Sequence, residues 1–299
     1  MHNPIFKDSA GDPFVLTVGH DYYLSCTGGR AIEGFCGFQM YHSTDLQNWD
    51  EPKIILDFKD VSWAVKNAWA PSMAAYRGHY YLAFCADQQI GIAVCDTPDG
   101  TYRDIIGKPL ISYYQDGFQT IDPCLFVEND KMYLFYGEGK CWLTELDIAP
   151  DHCECVGEVT DISEMFYRQV SQEYEIYDKI DKSVYNEAPD IVKIGDRYLF
   201  SWSVYDVLDY RYAVRYAWSD RLEGPYLMPK DYDHDNILLQ GCHDITGCGH
   251  ACIVEMDGDW YILYGRHKKP RTYGRDMCCE KIVFLDEDHL TAVPSRAIE

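Results

Sequence analysis

Basic residues are scarce in this sequence. It has 26 Lys and Arg against 49 Asp and Glu in 299 residues, so its formal net charge is −23. A protein that binds a phosphate backbone or an anionic membrane surface needs a basic patch. The shortage of positive charge therefore argues against nucleic acid and against membranes as partners.

Membrane spans, export signals and paired cysteines are also missing. No run approaches the roughly 18 apolar residues of a membrane span, and the first 13 residues lack the basic and apolar regions of a signal peptide. None of the 13 Cys forms a C-x-x-C pair, which favours reduced, buried thiols. We therefore expect a cytoplasmic protein, with enough apolar residues (47%) for a folded core.

Long helical periodicity is absent, and a shorter motif recurs instead. A polar turn followed by an aromatic-rich strand appears five times, and its second aromatic position falls at Tyr23, Tyr81, Tyr133, Tyr198 and Tyr261. The intervals of 58, 52, 65 and 63 residues divide nearly the whole chain into five similar units. Each unit begins as a hairpin with alternating apolar residues. Five all-β units predict a five-bladed β-propeller, built as a single domain over residues 1–299.

Charged residues recur at one position of this repeat. We call the five repeated tyrosines the marker tyrosines. The residues eleven positions before them are Asp12, Ala70, Asp122, Glu187 and His250. Equivalent positions of the innermost strands meet around the axis of a propeller, so we expect four ionisable side chains in one central pocket. An acid before Pro can also simply open a turn. That reading does not explain why four of five repeats carry an ionisable residue here.

Clustered carboxylates in an aromatic-rich cleft are typical of glycoside hydrolysis. One carboxyl group donates a proton to the leaving oxygen, and another acts on water or on the anomeric carbon. A third negative charge raises the pKa of the acid, because like charges disfavour ionisation. The alternative use of such a cluster is binding of a divalent cation by its hard oxygen atoms.

Six segments, in order along the chain, resemble glycoside hydrolase family 43, whose fold is a five-bladed β-propeller. They are Gly11-Asp12-Pro13-Phe14-Val15, Trp69-Ala70-Pro71, Ile121-Asp122-Pro123-Cys124-Leu125-Phe126, Glu187-Ala188-Pro189, Gly247-Cys248-Gly249-His250 and Gly274-Arg275-Asp276-Met277. Each motif is weak by itself, but their order and spacing make the set specific. The resemblance covers almost the full chain.

The resemblance implies a role for each carboxylate. Asp12 corresponds to the general base, Asp122 to the residue that modulates the pKa of the acid and orients it, and Glu187 to the general acid. The family inverts anomeric configuration, which requires room for a water molecule between acid and base. The sequence departs from the family at Ser72, where an Asp usually follows the W-A-P segment.

Further residues are candidates for substrate and metal binding. By resemblance, Arg275 lies against the sugar, and His250 lies on the axis beside a calcium ion or a water molecule. Trp69 and Phe35 are candidates to stack on a sugar face, whereas Trp63, Phe118 and Trp202 are expected in the core. A structural calcium at His250 is an open expectation, because a neutral imidazole is a poor ligand for a hard cation; no other cofactor is required.

Three segments carry weaker signals. The Cys242, His243, Cys248, His250 and Cys252 patch fits no standard zinc spacing. Residues 151–186 are expected to form a loop at the mouth of the propeller, with a helical segment as the alternative. Asp231-Tyr232-Asp233-His234-Asp235 is expected to be a solvated loop.

These features predict an exo-acting enzyme that acts on small arabinose- or xylose-containing oligosaccharides. The first choice is an inverting α-L-arabinofuranosidase, and the second is a β-D-xylosidase. A non-catalytic sugar-binding propeller would not need three carboxylates. A glycoside phosphorylase would need basic residues near the acid to hold phosphate, and the only candidate is the cluster at residues 266–275.

Overall fold

The structure, a computed structural model, describes residues 2–9, 11–28, 32–170, 173–176, 185–228, 236–267 and 274–295. These residues form strands, with two short 3₁₀ turns at Phe58–Asp60 and Ile162–Met165. No helix of the described chain has the length and apolar character needed to cross a membrane.

Five antiparallel sheets succeed one another along the chain, and we call them blades 1 to 5. Blade 1 consists of Phe14–Val18, Asp21–Ser25, Gly37–Ser43 and Lys53–Asp57. Blade 2 consists of Trp69–Tyr76, His79–Ala86, Gln89–Cys95 and Arg103–Asp104. Blade 3 consists of Cys124–Glu128, Lys131–Tyr136, Trp142–Ala149 and His152–Asp161.

The last two blades are assembled less regularly. Blade 4 consists of Glu187–Ile194, Arg197–Val204, Ala213–Ser219, Tyr226–Met228, Phe166–Val170, Glu173–Ile176 and Ile237–Leu239. Blade 5 consists of Gly249–Met256, Asp259–His267, Arg275–Lys281 and, from the start of the chain, Phe6–Ser9. Two small hairpins complete the described strands: Tyr114–Gln115 with Phe118–Gln119, and Val283–Phe284 with Leu290–Thr291.

The blades close into a ring, which confirms the predicted five-bladed propeller. The first strand of each blade contacts the first strand of the next, and blade 5 returns to blade 1. Five buried apolar clusters lie between successive blades. Trp202 belongs to the cluster between blades 3 and 4, where its ring lies 4.5 Å from that of Phe166. Trp63 stacks on Phe84, and Phe118 packs against Trp142, so these three candidates belong to the core as expected.

Residues 151–186 differ from the expected mouth loop. His152–Asp161 is the outer strand of blade 3, and Phe166–Val170 pairs in parallel with Tyr226–Met228 at the outer edge of blade 4. The segment therefore extends two sheets. Residues 171–172 and 177–184 of this segment, and the predicted loop at 231–235, lie outside the described residues.

The start of every innermost strand has the same strained backbone. Asp12, Ala70, Asp122, Ala188 and His250 have φ between 39° and 59°. Non-glycine residues rarely adopt this left-handed region, and those that do cluster at functional sites. The predicted offset is therefore correct in four blades and wrong by one residue in blade 4.

The one-residue error in blade 4 comes from the choice of Tyr198 as its marker tyrosine. Tyr198 occupies the first aromatic position of its hairpin, equivalent to Tyr80 and not to Tyr81, because both lie one residue after the start of the strand. The residue equivalent to Asp12 is therefore Ala188, and Glu187 precedes it.

Candidate active site

A cavity of about 410 Å³ opens where the innermost strands begin. Its wall contains all three predicted carboxylates, the predicted binding residues Trp69, His250 and Arg275, and two residues that the sequence analysis did not name, Thr27 and Val207. The full lining is Asp12, Thr27, Trp69, Ile121, Asp122, Glu187, Val207, His250 and Arg275. Side chains as distant in sequence as Asp12 and Arg275 thus share one pocket. Ring closure produces this convergence, since Asp12, Trp69, Asp122, Glu187 and His250 each lie at the start of the innermost strand of a different blade.

Asp12 is held by two side chains, those of Arg275 and Thr27. Arg275 forms a two-pronged ion pair with it, with Nη1 2.5 Å from Oδ1 and Nη2 3.0 Å from Oδ2. The Thr27 hydroxyl also donates to Oδ2, and it accepts the Ala70 backbone N–H at 2.7 Å. Gly11 has no room for a side chain, because a Cβ there would lie 2.1 Å from the Arg275 guanidinium carbon. Through its two hydrogen bonds, the Thr27 hydroxyl links blade 1 to blade 2 beside the Asp12 carboxylate.

The surroundings of Asp12 keep it ionised. Burial opposes its charge, but the Arg275 charge and the hydrogen bonds from Arg275 and Thr27 outweigh that penalty and hold the pKa of Asp12 well below its usual range. The same pairing raises the pKa of Arg275, although burial opposes this. This site therefore presents a permanent carboxylate and a permanent guanidinium as one buried pair.

The environment of Asp122 favours its protonated form, in contrast to that of Asp12. Burial and the negative charges of Glu187 and Asp12 raise the pKa of Asp122 well above its ordinary value. Its Oδ2 accepts the Ala188 backbone N–H at 3.1 Å, which only partly offsets that effect. Because Asp122 and Glu187 repel each other when both are ionised, the two carboxyl groups favour holding one proton between them.

Glu187 receives a hydrogen bond from a residue that the sequence analysis missed. The hydroxyl of Tyr212 donates to its Oε1 over 2.6 Å, and Tyr212 is fully buried. Tyr212 directly precedes the third strand of blade 4 and carries no motif of its own. A spacing argument confined to the first strand of each blade cannot find it.

His250 lies between the two aspartates, as its predicted axial position requires. Its Nδ1 is 3.1 Å from Asp12 Oδ1 and 3.6 Å from Asp122 Oδ2. Burial lowers the pKa of His250 to about 4, although the charge of Asp12 favours the protonated ring. The imidazole is therefore neutral at neutral pH and fits the role of a hydrogen-bond donor to Asp12.

This donor set suits calcium poorly. Calcium prefers six to eight oxygen ligands, whereas His250 offers one nitrogen and both oxygens of Asp12 already accept hydrogen bonds. A water-filled coordination shell would have to supply most of the ligands. A structural calcium ion at His250 therefore stays a prediction.

Of the residues predicted to contact the sugar, Trp69 and Arg275 line the cavity, whereas Phe35 is not among its described lining residues. Trp69 is half-buried in the cavity wall, and its stacking on a sugar stays a prediction. Arg275 also lines the cavity, but its guanidinium binds Asp12. Phe35 is half-buried and is not among the described residues that line the cavity, so its proposed contact with substrate stays a prediction.

The structure does not assemble the cysteine–histidine patch into a zinc site. Cys252 accepts the Val15 backbone N–H, Cys242 donates to the Pro294 carbonyl oxygen, and His250 faces the aspartates. Among the described residues, only the exposed group Asp147, His152 and Glu154 brings three potential metal ligands together.

The basic cluster at 266–275 does not form a phosphate site in its described part. Arg266 donates to the Ser295 carbonyl oxygen, the His267 ring contacts the Val207 carbonyl oxygen, and Arg275 is paired with Asp12. Residues 268–273 lie outside the described residues.

Comparison with known proteins agrees with this geometry. The sequence profile of glycosyl hydrolases family 43 matches residues 1–290. A β-D-galactofuranosidase (xynD) of Aspergillus niger is 26% identical over 97% of this chain and 84% of its own length. A β-xylosidase of Bacillus subtilis is 26% identical over 95% of this chain, which spans about half (55%) of that enzyme. The crystal structure of a thermostable family-43 glycoside hydrolase superposes with a TM-score of 0.77, at 21% identity, covering 100% of this chain and 97% of the other.

Proposed function

The chain belongs to glycosyl hydrolases family 43, and from that premise we propose that it is an inverting, exo-acting hydrolase that releases a pentose from arabinose- or xylose-containing oligosaccharides. One observation carries the proposal: the pocket holds buried carboxyl groups with opposite protonation preferences. Asp12 is kept ionised, while Asp122 and Glu187 favour sharing a proton. Hydrolysis of a glycoside needs one carboxyl group in each state.

The proposed reaction is a single displacement. Glu187 donates its proton to the glycosidic oxygen as the bond between that oxygen and the anomeric carbon breaks. Asp12 accepts a proton from a water molecule as the water oxygen bonds to the same carbon from the opposite face. When Glu187 holds the shared proton, Asp122 is ionised and its negative charge raises the proton affinity of the acid. The neutral His250 ring helps to fix the orientation of Asp12.

Arabinofuranosidase activity remains the first choice for this chain. Its relative from Aspergillus niger is named as acting on a furanoside, and a five-membered ring is also what an arabinofuranosidase must bind. Its relative from Bacillus subtilis is named a β-xylosidase, which supports the second choice. The cavity of about 410 Å³ is near the small end of ligand pockets and favours a short substrate.

A substrate panel tests the choice between the two activities. We expect the highest kcat/KM on 4-nitrophenyl α-L-arabinofuranoside, a lower value on the β-D-xylopyranoside, and little activity on a galactopyranoside. The reverse order for the first two substrates would favour the xylosidase. Absence of hydrolysis on the whole panel would favour a non-catalytic sugar-binding propeller, and a rate that depends on added phosphate would favour a phosphorylase.

The variant Glu187→Gln tests the assignment of the acid. It should slow hydrolysis of a disaccharide by at least about a hundredfold, since general acid catalysis contributes about 10²–10⁴-fold. Hydrolysis of an activated aryl glycoside should suffer less, because its leaving group needs little protonation. Equal losses on both substrates would contradict the assignment. Glu145→Gln, which removes a blade 3 carboxyl group that pairs with Lys131, should leave both rates unchanged.

A further inference from the structure

Tyr212 is buried directly behind the proposed acid. Its hydroxyl donates to Glu187 Oε1 over 2.6 Å, and none of its surface is exposed. Burial and the negative charges of Glu187 and Asp12 raise the pKa of Tyr212 well above its ordinary value, so its hydroxyl stays protonated. Tyr212 therefore acts as a permanent donor to one oxygen of Glu187, whether or not that carboxyl group carries a proton.

The hydroxyl of Tyr212 is itself fixed by blade 4. It is hydrogen-bonded to Ser203, which is fully buried on the neighbouring strand. The Ser203 hydroxyl oxygen also accepts the backbone N–H of His250 at 2.8 Å. A chain of hydrogen bonds thus runs from His250 through Ser203 and Tyr212 to Glu187. It links the beginnings of the innermost strands of blades 4 and 5.

The ring of Tyr212 has a fixed place because of a glycine in blade 5. A Cβ at Gly249 would lie 2.3 Å from Tyr212 Cε1, closer than any real side-chain contact. Gly249 does not have a left-handed φ, so its backbone would accept alanine. Space for the Tyr212 ring is therefore a sufficient physical reason for glycine at this position.

From this geometry we propose that Tyr212 is a positioning residue for Glu187. By donating to Oε1, it directs the acidic proton to the other oxygen, Oε2, and fixes the angle at which the carboxyl group meets the glycosidic oxygen. It also stabilises the carboxylate left after proton transfer, because a donated hydrogen bond is stronger to an ionised acceptor. The proposal rests on Glu187 being the general acid.

The variant Tyr212→Phe tests the proposal through the pH dependence of kcat/KM on a disaccharide. Activity must fall at high pH when the acid loses its proton, and loss of a donor to the carboxylate makes that proton harder to remove. We expect the alkaline limb to move up by about one pH unit and kcat to fall about tenfold, as for loss of a hydrogen bond worth about 1.4 kcal/mol. Tyr216→Phe is the matched control, because it removes another buried hydroxyl from the same blade, one that donates to the Asp288 carbonyl oxygen. It should leave the alkaline limb unchanged.

A second variant, Gly249→Ala, retains Tyr212 but leaves no space for its ring in the present position. Gly249→Ala should move the alkaline limb in the same direction as Tyr212→Phe, since the added methyl group forces the ring away from Glu187. A purely structural role would lower the unfolding temperature and leave the limb in place in both variants, and that result would overturn the proposal. If Glu187→Gln itself retains the alkaline limb, the assignment of the acid fails; if only the Tyr212 and Gly249 variants retain it, the positioning role alone fails.

Discussion

Two aspartates with the same local sequence have opposite chemistry in this pocket. Asp12 and Asp122 both precede a proline, both have a left-handed backbone, and both are buried. Only Asp12 is paired with a guanidinium, whereas Asp122 faces the negative charges of Glu187 and Asp12. The difference in protonation therefore comes from side chains of other blades.

Removal of the Arg275 charge should show this effect directly. In Arg275→Met, Asp12 loses its ion pair but remains buried, so its pKa should rise. The proposed base must be ionised, and activity is lost as pH falls through its pKa. We therefore expect the acidic limb to move up by about two pH units, so that it enters a kcat/KM profile measured between pH 3 and 9, whereas the limb of the unmodified protein lies below that range.

Arg197→Met provides the control for this variant. It removes a guanidinium that pairs with Asp288 at 2.8 Å, far from the cavity wall, with both side chains partly exposed. Its acidic limb should coincide with that of the unmodified protein. An Arg275→Met profile with an unmoved acidic limb would show that Asp12 is not the group whose ionisation activity requires.

At the residue scale, the sequence predicted the acids better than their partners. Asp12, Asp122 and Glu187 could be found because each stands one or two residues before a proline in a repeated unit. Thr27 and Tyr212 bind those acids, yet they follow them by 15 and 25 residues along the chain. Those separations depend on the length of a turn or a strand, which no local pattern records.

The innermost strands are joined by side chains that replace backbone pairing. The Ser72 hydroxyl accepts the backbone N–H of Leu125 in the next blade at 2.8 Å. Asp190 accepts that of Ile253 at 2.8 Å in the same way. The two acceptors are equivalent, because each lies three residues after the first residue of its strand. The serine that departs from the family pattern therefore retains an inter-blade hydrogen bond without adding a buried carboxyl group.

Asp190 should make stability depend on pH. Burial raises the pKa of Asp190 to about 7, while hydrogen bonds from the backbone of Ile253 and Ile191 oppose this rise. Between about pH 4 and pH 7 the unfolded chain has lost this proton and the folded chain retains it. The free energy of unfolding should therefore fall as pH rises through this window.

Asp190→Asn should remove that dependence. The amide oxygen can still accept the Ile253 N–H, and no charge is buried. We expect urea unfolding to give a gain on the order of 2–4 kcal/mol at pH 8 that shrinks towards zero near pH 4. Asp151→Asn, in an exposed turn of blade 3, should have no such effect. An equal gain at both pH values for Asp190→Asn would contradict the assigned proton.

At the element scale, the hairpins could be predicted and their exact alignment could not. Turn residues followed by alternating aromatics identified all five first hairpins. The choice of Tyr198 shifted blade 4 by one residue, since the position equivalent to the other four tyrosines, two residues after the start of the strand, is Leu199. A one-residue shift matters because successive strand residues face opposite sides.

At the scale of the whole molecule, the ring is closed by the start of the chain. Phe6–Ser9 pairs with Arg275–Lys281, so the fourth strand of blade 5 leads directly to Asp12. Asn3 reinforces this closure: its Nδ2 donates to the Cys279 carbonyl oxygen, and its Oδ1 accepts the Cys279 N–H, each at 2.9 Å. The sequence showed five units but no sign of this pairing, because the two strands stand some 270 residues apart.

Loss of the Asn3 side chain should weaken the closure. Asn3→Ala leaves the buried N–H and carbonyl of Cys279 without these partners, at an expected cost of about 2–3 kcal/mol in the free energy of unfolding. Gln47→Ala, which removes an exposed amide bonded to the backbone of His2, is the control and should cost little. Equal unfolding temperatures for the two variants would contradict a closing role for Asn3.

The central claim is that Asp12 acts on water and Glu187 on the leaving oxygen in one displacement. The anomeric configuration of the first-formed sugar tests it most directly. Proton NMR spectra recorded in the first minutes of hydrolysis, before mutarotation, should show the anomer opposite to that of the substrate. A first-formed sugar with the configuration of the substrate would contradict the single displacement and the role of Asp12 as a base.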